Sequence, residues 1–216
     1  MKKPTVLFDL DGTLLDTAPD LAEAVNKIRR ERDLPELALE TLRPHAGFGS
    51  KALLKVGMDT DDDHPTYPEL LHEFLSNYQS CSMQSTRFFP GIEALLNTLD
   101  EKQIRWGIVT NKPERFTTPI IQQLQLDQRA ACIISGDTLA QRKPHPAQIT
   151  HACELLNVKP TDTFYVGDTF IDVQASTAAG TRSLVVLYGY TSEQENPYDW
   201  KAEGYLHQPS DLMNWL

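Results

Sequence analysis

Five short apolar runs, each separated from the next by helical patterning, leave this chain few ways to fold. The first is Val6-Leu7-Phe8, and the others are 104–110 (IRWGIVT), 131–135 (ACIIS), 163–167 (TFYVG) and 183–188 (SLVVLY). Near-continuous hydrophobicity suits strands covered on both faces, as in a parallel sheet. Between them, Ile92, Leu95, Leu96 and Leu99 follow helical spacing, as do Ile149, Ala152, Cys153 and Leu156. Strands alternating with helices predict an α/β fold: a Rossmann-like, doubly wound parallel sheet core.

Residues 16–81 break this rhythm and predict a small helical cap domain inserted after the first strand. Leu21, Val25 and Ile28 share one helical face, and Thr17-Ala18-Pro19-Asp20 reads as a helix start. Leu70, Leu71, Phe74 and Tyr78 predict another helix, and the acidic, proline-broken segment 59–68 an exposed loop. The expected division is a core of 1–15 and 82–216 around a cap of 16–81, with Pro90-Gly91 restarting the α/β pattern.

The bulk numbers narrow the function. A net charge of −10 argues against nucleic acid, which needs a basic surface, but permits a small phosphorylated substrate in a cleft of reversed field. No apolar run approaches a membrane span, and the start reads as leading into a strand, not a signal peptide. Cys81, Cys132 and Cys153 are odd in number and widely spaced, which supports neither a disulfide framework nor a zinc site and predicts a cytoplasmic setting.

The chemistry lies at strand ends, where open parallel sheets bind ligands. Asp9 and Asp11, two residues apart in Asp9-Leu10-Asp11-Gly12-Thr13, point to one side and repel unless a cation or proton lies between them. Thr110 and Asn111 close the second run. Gly167-Asp168 closes a later one, with Asp172 four residues on, and Lys143 sits in the loop Gln141-Arg142-Lys143-Pro144-His145-Pro146. These groups suit phosphoryl transfer through a covalent aspartyl phosphate. Magnesium (Mg2+) is the expected ion because the candidate ligands are hard oxygens. Thr110 and backbone N–H groups would hold the phosphoryl oxygens, Lys143 would offset their charge, and Asp11 would serve as acid and then base. Within the insertion, Arg43 to Lys51 is the expected substrate-reading loop: Gly47 and Gly49 would allow close approach, and Arg43 or Lys51 would meet a substrate carboxylate.

Together and in this order, Asp9-Leu10-Asp11-Gly12-Thr13, Val109-Thr110-Asn111, Lys143-Pro144 and Gly167-Asp168 with Asp172 resemble the four motifs of the haloacid dehalogenase superfamily phosphatases. The resemblance implies Asp9 as nucleophile and Asp11 as acid/base, with Thr110 and Lys143 as phosphate holders. It implies magnesium bound by Asp9, the backbone carbonyl of Asp11, and Asp168, with Asp172 in support. Thr110-Asn111-Lys112-Pro113, Arg142-Lys143-Pro144-His145-Pro146 and Tyr188-Gly189-Tyr190 are similar to the phosphoglycolate phosphatase branch. The stretch from Val109 to Phe116 and the tail, Tyr188-Gly189-Tyr190 with Asn196-Pro197-Tyr198-Asp199-Trp200, also resemble N-acetylmuramic acid 6-phosphate phosphatases. Both imply a small phosphorylated metabolite as substrate. A phosphoaspartate signalling switch is the alternative from another class, although such domains order their acids differently and lack the insertion.

Overall fold

The computed structural model describes residues 3–191 and 195–216. Met1 and Lys2, the start of the expected core segment, lie outside them. In chain order the elements are β1 (Thr5–Phe8), β2 (Leu15–Asp16), α1 (Ala18–Arg30), α2 (Leu39–Ala46), α3 (Gly49–Met58), α4 (Tyr67–Cys81), β3 (Arg87–Phe88) and α5 (Ile92–Glu101). They continue with β4 (Trp106–Val109), α6 (Glu114–Gln123), β5 (Ile133–Ile134), α7 (Ala147–Leu156), β6 (Thr163–Gly167), α8 (Phe170–Ala179), β7 (Arg182–Val186) and β8 (Gly204–Leu206). No helix among the described residues is long and apolar enough to cross a membrane.

The chain divides into two compact units, Met1–Leu14 with Phe88–Leu216, and Leu15–Arg87. The first holds a parallel sheet in the order β5-β4-β1-β6-β7-β8. From β1 the chain adds β4 and β5 on one side, then β6, β7 and β8 on the other, so the order reverses at β1. Phe8 pairs with Ile108 on one side and Val166 on the other, which brings the carboxyl ends of the three central strands level. This alignment sets the motif residues that follow them side by side. Leu7, Val109, Ile134 and Tyr165 from the sheet pack with Ile149, Ala152, Cys153 and Leu156 of α7 and Ala175 of α8.

The expected strands are all present, and 163–167 matches to the residue, but others are shorter than expected: 131–135 contributes only Ile133–Ile134 and 104–110 only Trp106–Val109. The sixth strand, β8, has three residues, too few for a hydrophobic period. A side chain at Gly204 would run into the Trp215 ring, so this strand carries a glycine where sequence patterning looks for an apolar residue.

The second unit is the helical insertion, α1 to α4, entered through β2 and left through β3. Pro19 sits in the first turn of α1, as expected. Asp20, however, does more than favour a helix start. It is buried and accepts hydrogen bonds from the Ser85 N–H (2.8 Å), the Thr86 N–H (3.0 Å) and the Thr86 hydroxyl (2.7 Å), tying the first helix to the segment that leaves the insertion.

One expectation for the insertion fails and another holds except at its end. The reading loop from Arg43 to Lys51 is not a loop: α2 runs through Ala46, α3 starts at Gly49, and only Gly47 and Phe48 lie between. Pro44 stands inside α2 and forfeits one backbone bond. Burial of Leu42, Ala46, Leu53 and Leu54 outweighs that loss. The exposed loop expected at 59–68 ends early because α4 begins at Tyr67, with Pro68 in the first turn where its missing N–H costs nothing.

Candidate active site

Asp9 follows the last residue of β1 and is 9% exposed; Asp168 follows β6 and Lys143 lies in the loop before α7, at 1% and 4%. Lys143 Nζ is 2.9 Å from Asp9 Oδ1 and 2.7 Å from Asp172 Oδ1, and it donates to Tyr165 Oη at 2.8 Å. The Lys143–Pro144 peptide is cis. Oxygens of Asp9, Asp168 and Asp172 all come within 4.8 Å of one another.

Asp172 is fully engaged. Its Oδ1 faces Lys143 and Tyr165, and its Oδ2 accepts from the Thr169 N–H (3.1 Å) and hydroxyl (2.6 Å), closing a capping box at the start of α8. Asp168 accepts from the Thr13 hydroxyl (3.3 Å) and the Tyr190 N–H (2.9 Å). Two glycines make room for it. A Cβ on Gly12 would land on the Asp168 carboxylate, and one on Gly189 would strike both Asp168 and the Gly12 carbonyl. Gly12 also has φ +82°, a backbone conformation that favours glycine.

Thr110 follows the last residue of β4 and is buried. Its hydroxyl oxygen accepts from the Lys112 N–H at 3.2 Å, which leaves its hydrogen to donate elsewhere. Asn111 donates to the Lys143 carbonyl at 2.9 Å, and Gln148 bridges the Thr110 and Ser135 carbonyls while accepting from the Lys143 N–H. Asp11 is gripped by Lys112, whose ammonium is 3.0 and 3.2 Å from its two oxygens.

The electrostatics leave the site short of positive charge. Burial pushes the Asp9 carboxyl up to about 7; Lys143 pulls it back, while Asp172 and Asp11 add to the rise. Burial, then Asp172 and Asp9, push Asp168 well above its ordinary value. Burial works against the Lys143 ammonium, but Asp172 and Asp9 together hold it above its usual range. Four carboxylates (Asp9, Asp11, Asp168, Asp172) face two ammoniums (Lys112, Lys143), so the fully ionised set carries two uncompensated negative charges. One divalent cation on the hard oxygens of Asp9 and Asp168 fits that deficit in charge and in donor type.

The structure thus brings together Asp9, Lys143, Asp168 and Asp172, with Asp11 two residues beyond Asp9 and Thr110 and Asn111 just after the neighbouring strand. Arg43, Gly47 and Gly49 belong to the helical insertion. There Arg43 makes a two-pronged pair with Asp16 at 2.8 and 2.9 Å, Gly47 caps α2 with an ordinary φ of −64°, and Gly49 has φ +76° with open space where a Cβ would sit. Lys51 pairs with Asp62 on the surface. Sequence reasoning gave no role to Lys112, Tyr165 or Gln148. A signal existed for two of them: Lys112 lies two residues beyond Thr110, and a tyrosine inside an apolar strand needs a partner for its hydroxyl.

Comparison with known proteins decides the family. The sequence model of the family described as haloacid dehalogenase-like hydrolase matches residues 6–186. The chain belongs to the haloacid dehalogenase-like hydrolases. Among relatives of this hydrolase, a phosphoglycolate phosphatase from Xanthomonas campestris pv. campestris (strain 8004) is 42% identical over 207 residues, 96% of this chain and 93% of that protein. An N-acetylmuramic acid 6-phosphate phosphatase from Pseudomonas putida is 37% identical over 98% of this chain and 95% of its own length. The fold is that of a crystal structure described as a predicted phosphoglycolate phosphatase from Haemophilus somnus 129pt. Its TM-score is 0.87, with 23% identity, and the match covers 100% of this chain and 98% of that one.

Proposed function

We propose that this hydrolase is a magnesium-dependent phosphomonoesterase that passes the phosphoryl group of a small phosphorylated acid through an aspartyl phosphate on Asp9. The observation that carries the reading is the placement of Asp9. It is a buried carboxylate at the end of the central strand, 2.9 Å from a buried ammonium and within 4.8 Å of a second buried acid that follows the neighbouring strand.

In this reading an Asp9 oxygen attacks phosphorus and the bond to the ester oxygen breaks. Lys143 offsets the charge on the phosphoryl oxygens, and the Thr110 hydroxyl donates to one of them. Asp11 supplies the proton to the leaving oxygen. It then takes a proton from the water that attacks the acyl phosphate, which releases inorganic phosphate and restores Asp9. Asp172, with both oxygens occupied, braces Lys143 and the start of α8, and Asn111 and Gln148 fix the loop that carries Lys143. Asp9, the Asp11 carbonyl and Asp168 are the residues that would hold magnesium, whose charge would screen the carboxylate from the incoming dianion.

The helical insertion is proposed as a separate functional domain that reads the alcohol part of the substrate, and Arg43 keeps its proposed role as a carboxylate reader only if substrate displaces Asp16. Three free cysteines accord with a reducing, cytoplasmic setting. Two substrates compete: 2-phosphoglycolate, supported by relatives at 42% identity, and N-acetylmuramic acid 6-phosphate, supported by relatives at 37% and 34% that match nearly or all of this chain. Phosphate release across a panel containing both decides between them. The true substrate should reach a kcat/KM of about 10⁴ M⁻¹s⁻¹ or more, chelation should stop turnover, and Asp9→Asn should abolish it. Full activity in Asp9→Asn, or in the presence of chelator, overturns the proposal.

A further inference from the structure

Lys112 has no part in the steps above, yet its surroundings are built. Its side chain is 6% exposed and that of Asp11 16%. Its backbone is held on both sides: the N–H donates to Thr110 Oγ1 at 3.2 Å, and the carbonyl accepts from the Gly136 N–H (2.8 Å) and the Thr117 hydroxyl (3.0 Å). Gly136 must be a glycine for this approach, since a Cβ there would run into the Asn111 carbonyl. A lysine anchored so firmly, with its ammonium 3.0 and 3.2 Å from the two oxygens of one carboxylate, restrains where that carboxylate sits. Surface pairs of this kind do little, but a pair drawn out of water strands one charge when the other is removed.

We infer that Lys112 is a positioning residue that holds the Asp11 carboxylate in place for the second half of the reaction. The inference rests on the phosphatase reading above. In that half, the water oxygen bonds to phosphorus and the phosphorus–Asp9 oxygen bond breaks with its electron pair returning to Asp9. The water proton passes to Asp11. The Lys112 ammonium, 3.0 and 3.2 Å from the two Asp11 oxygens, holds the carboxylate where it meets that proton. The first half, with an aryl ester, needs no proton from Asp11 because the phenolate leaves unaided. Loss of Lys112 therefore slows the release of phosphate from Asp9 more than its arrival.

The test is stopped-flow hydrolysis of p-nitrophenyl phosphate by the full chain with excess magnesium chloride, comparing wild type, Lys112→Met, Lys112→Gln and Lys112→Arg, with Asp9→Asn alongside. The uncharged variants should lose about tenfold or more in kcat, since acid–base assistance is worth 10²–10⁴, and KM should fall in step so that kcat/KM for this ester stays within about threefold of wild type. They should also gain a burst of about one p-nitrophenolate per enzyme. Lys112→Arg, which keeps the charge, should recover most of kcat and show a smaller burst. An unchanged kcat, or a loss of kcat with no burst in whichever uncharged variant folds, overturns the role of Lys112. Full turnover by Asp9→Asn, or none by wild type on any phosphomonoester, instead overturns the phosphatase reading itself.

Discussion

Tyr165 Oη lies 2.8 Å from Lys143 Nζ, at the same ammonium that meets Asp9 at 2.9 Å and Asp172 at 2.7 Å. The phenol is buried in β6, and its hydroxyl also reaches the Val109 carbonyl (2.9 Å) and Asp172 Oδ1 (3.1 Å). Burial, followed by the nearby Asp172 and Asp9 carboxylates, pushes its ionisation well above the ordinary tyrosine range, so it stays a neutral phenol. One strand residue thus links the end of β4 to the cation that faces Asp9. A buried ammonium needs its donors satisfied, and without the phenol Lys143 would have fewer fixed directions.

Tyr165→Phe keeps the ring and removes this link. One hydrogen bond is worth about 0.5–1.5 kcal/mol, which corresponds to a loss of about 2- to 10-fold in kcat for phosphate release. KM for the phosphomonoester should rise with it if Lys143 loses its aim in the ground state as well. Steady-state kinetics on the purified variant measure both, and wild-type kcat would show that Lys143 is held by its acids alone.

The cradle around Asp168 gives a second test. Gly189→Ala should push the Asp168 carboxylate aside, because the new Cβ would overlap both it and the Gly12 carbonyl. Disturbing the support of a metal ligand typically costs about 10- to 100-fold in metal affinity. A magnesium titration of activity should therefore shift to higher concentration by that factor, with activity recoverable at saturation. An unchanged titration curve would mean that Asp168 does not depend on this glycine.

The cysteines report on burial independently of the reaction. Burial pushes the thiols of Cys81 and Cys132 up to about 11, with Asp20 adding to the rise at Cys81 and Cys153 at Cys132. Because each pKa lies above its ordinary value, only about 0.1% of either thiol is thiolate at pH 8, and the thiolate is the reactive form. Alkylation by iodoacetamide, followed by mass spectrometry, should be slow at pH 8 and rise about tenfold per pH unit toward 10. Rapid labelling of Cys81 at pH 7 would contradict its buried position in the helical insertion.

The sheet and the core site were legible in the sequence for a common reason. Each strand of 104–110, 163–167 and 183–188 is covered on both faces, so its apolar run is unbroken, and the polar residue that ends the run marks the edge where ligands bind. Asp9, Thr110 and Asp168 stand out by that logic alone. Lys112 and Tyr165 did not, because a lysine after a strand reads as a surface charge and a tyrosine within one reads as packing; only the fold brings Asp11 and Lys143 to them. The α2–α3 pair was hidden differently. Pro44, Gly47 and Gly49 are turn formers by local preference, and the helices exist because Leu42, Ala46, Leu53 and Leu54 are buried together. Asp20 shows the same limit: the sequence places it in the first turn of α1, but its three partners, at Ser85 and Thr86, come from 65 and 66 residues away.

The most direct test of the account is to trap the covalent intermediate. Wild-type protein mixed with a phosphate-labelled substrate and magnesium, then quenched in acid within one turnover, should carry label on the peptide that contains Asp9. That label should be released by hydroxylamine, as an acyl phosphate is, and should be absent from Asp9→Asn. Label on a serine or histidine, or normal turnover by Asp9→Asn, would contradict the claim that the carboxylate ending β1 is the nucleophile.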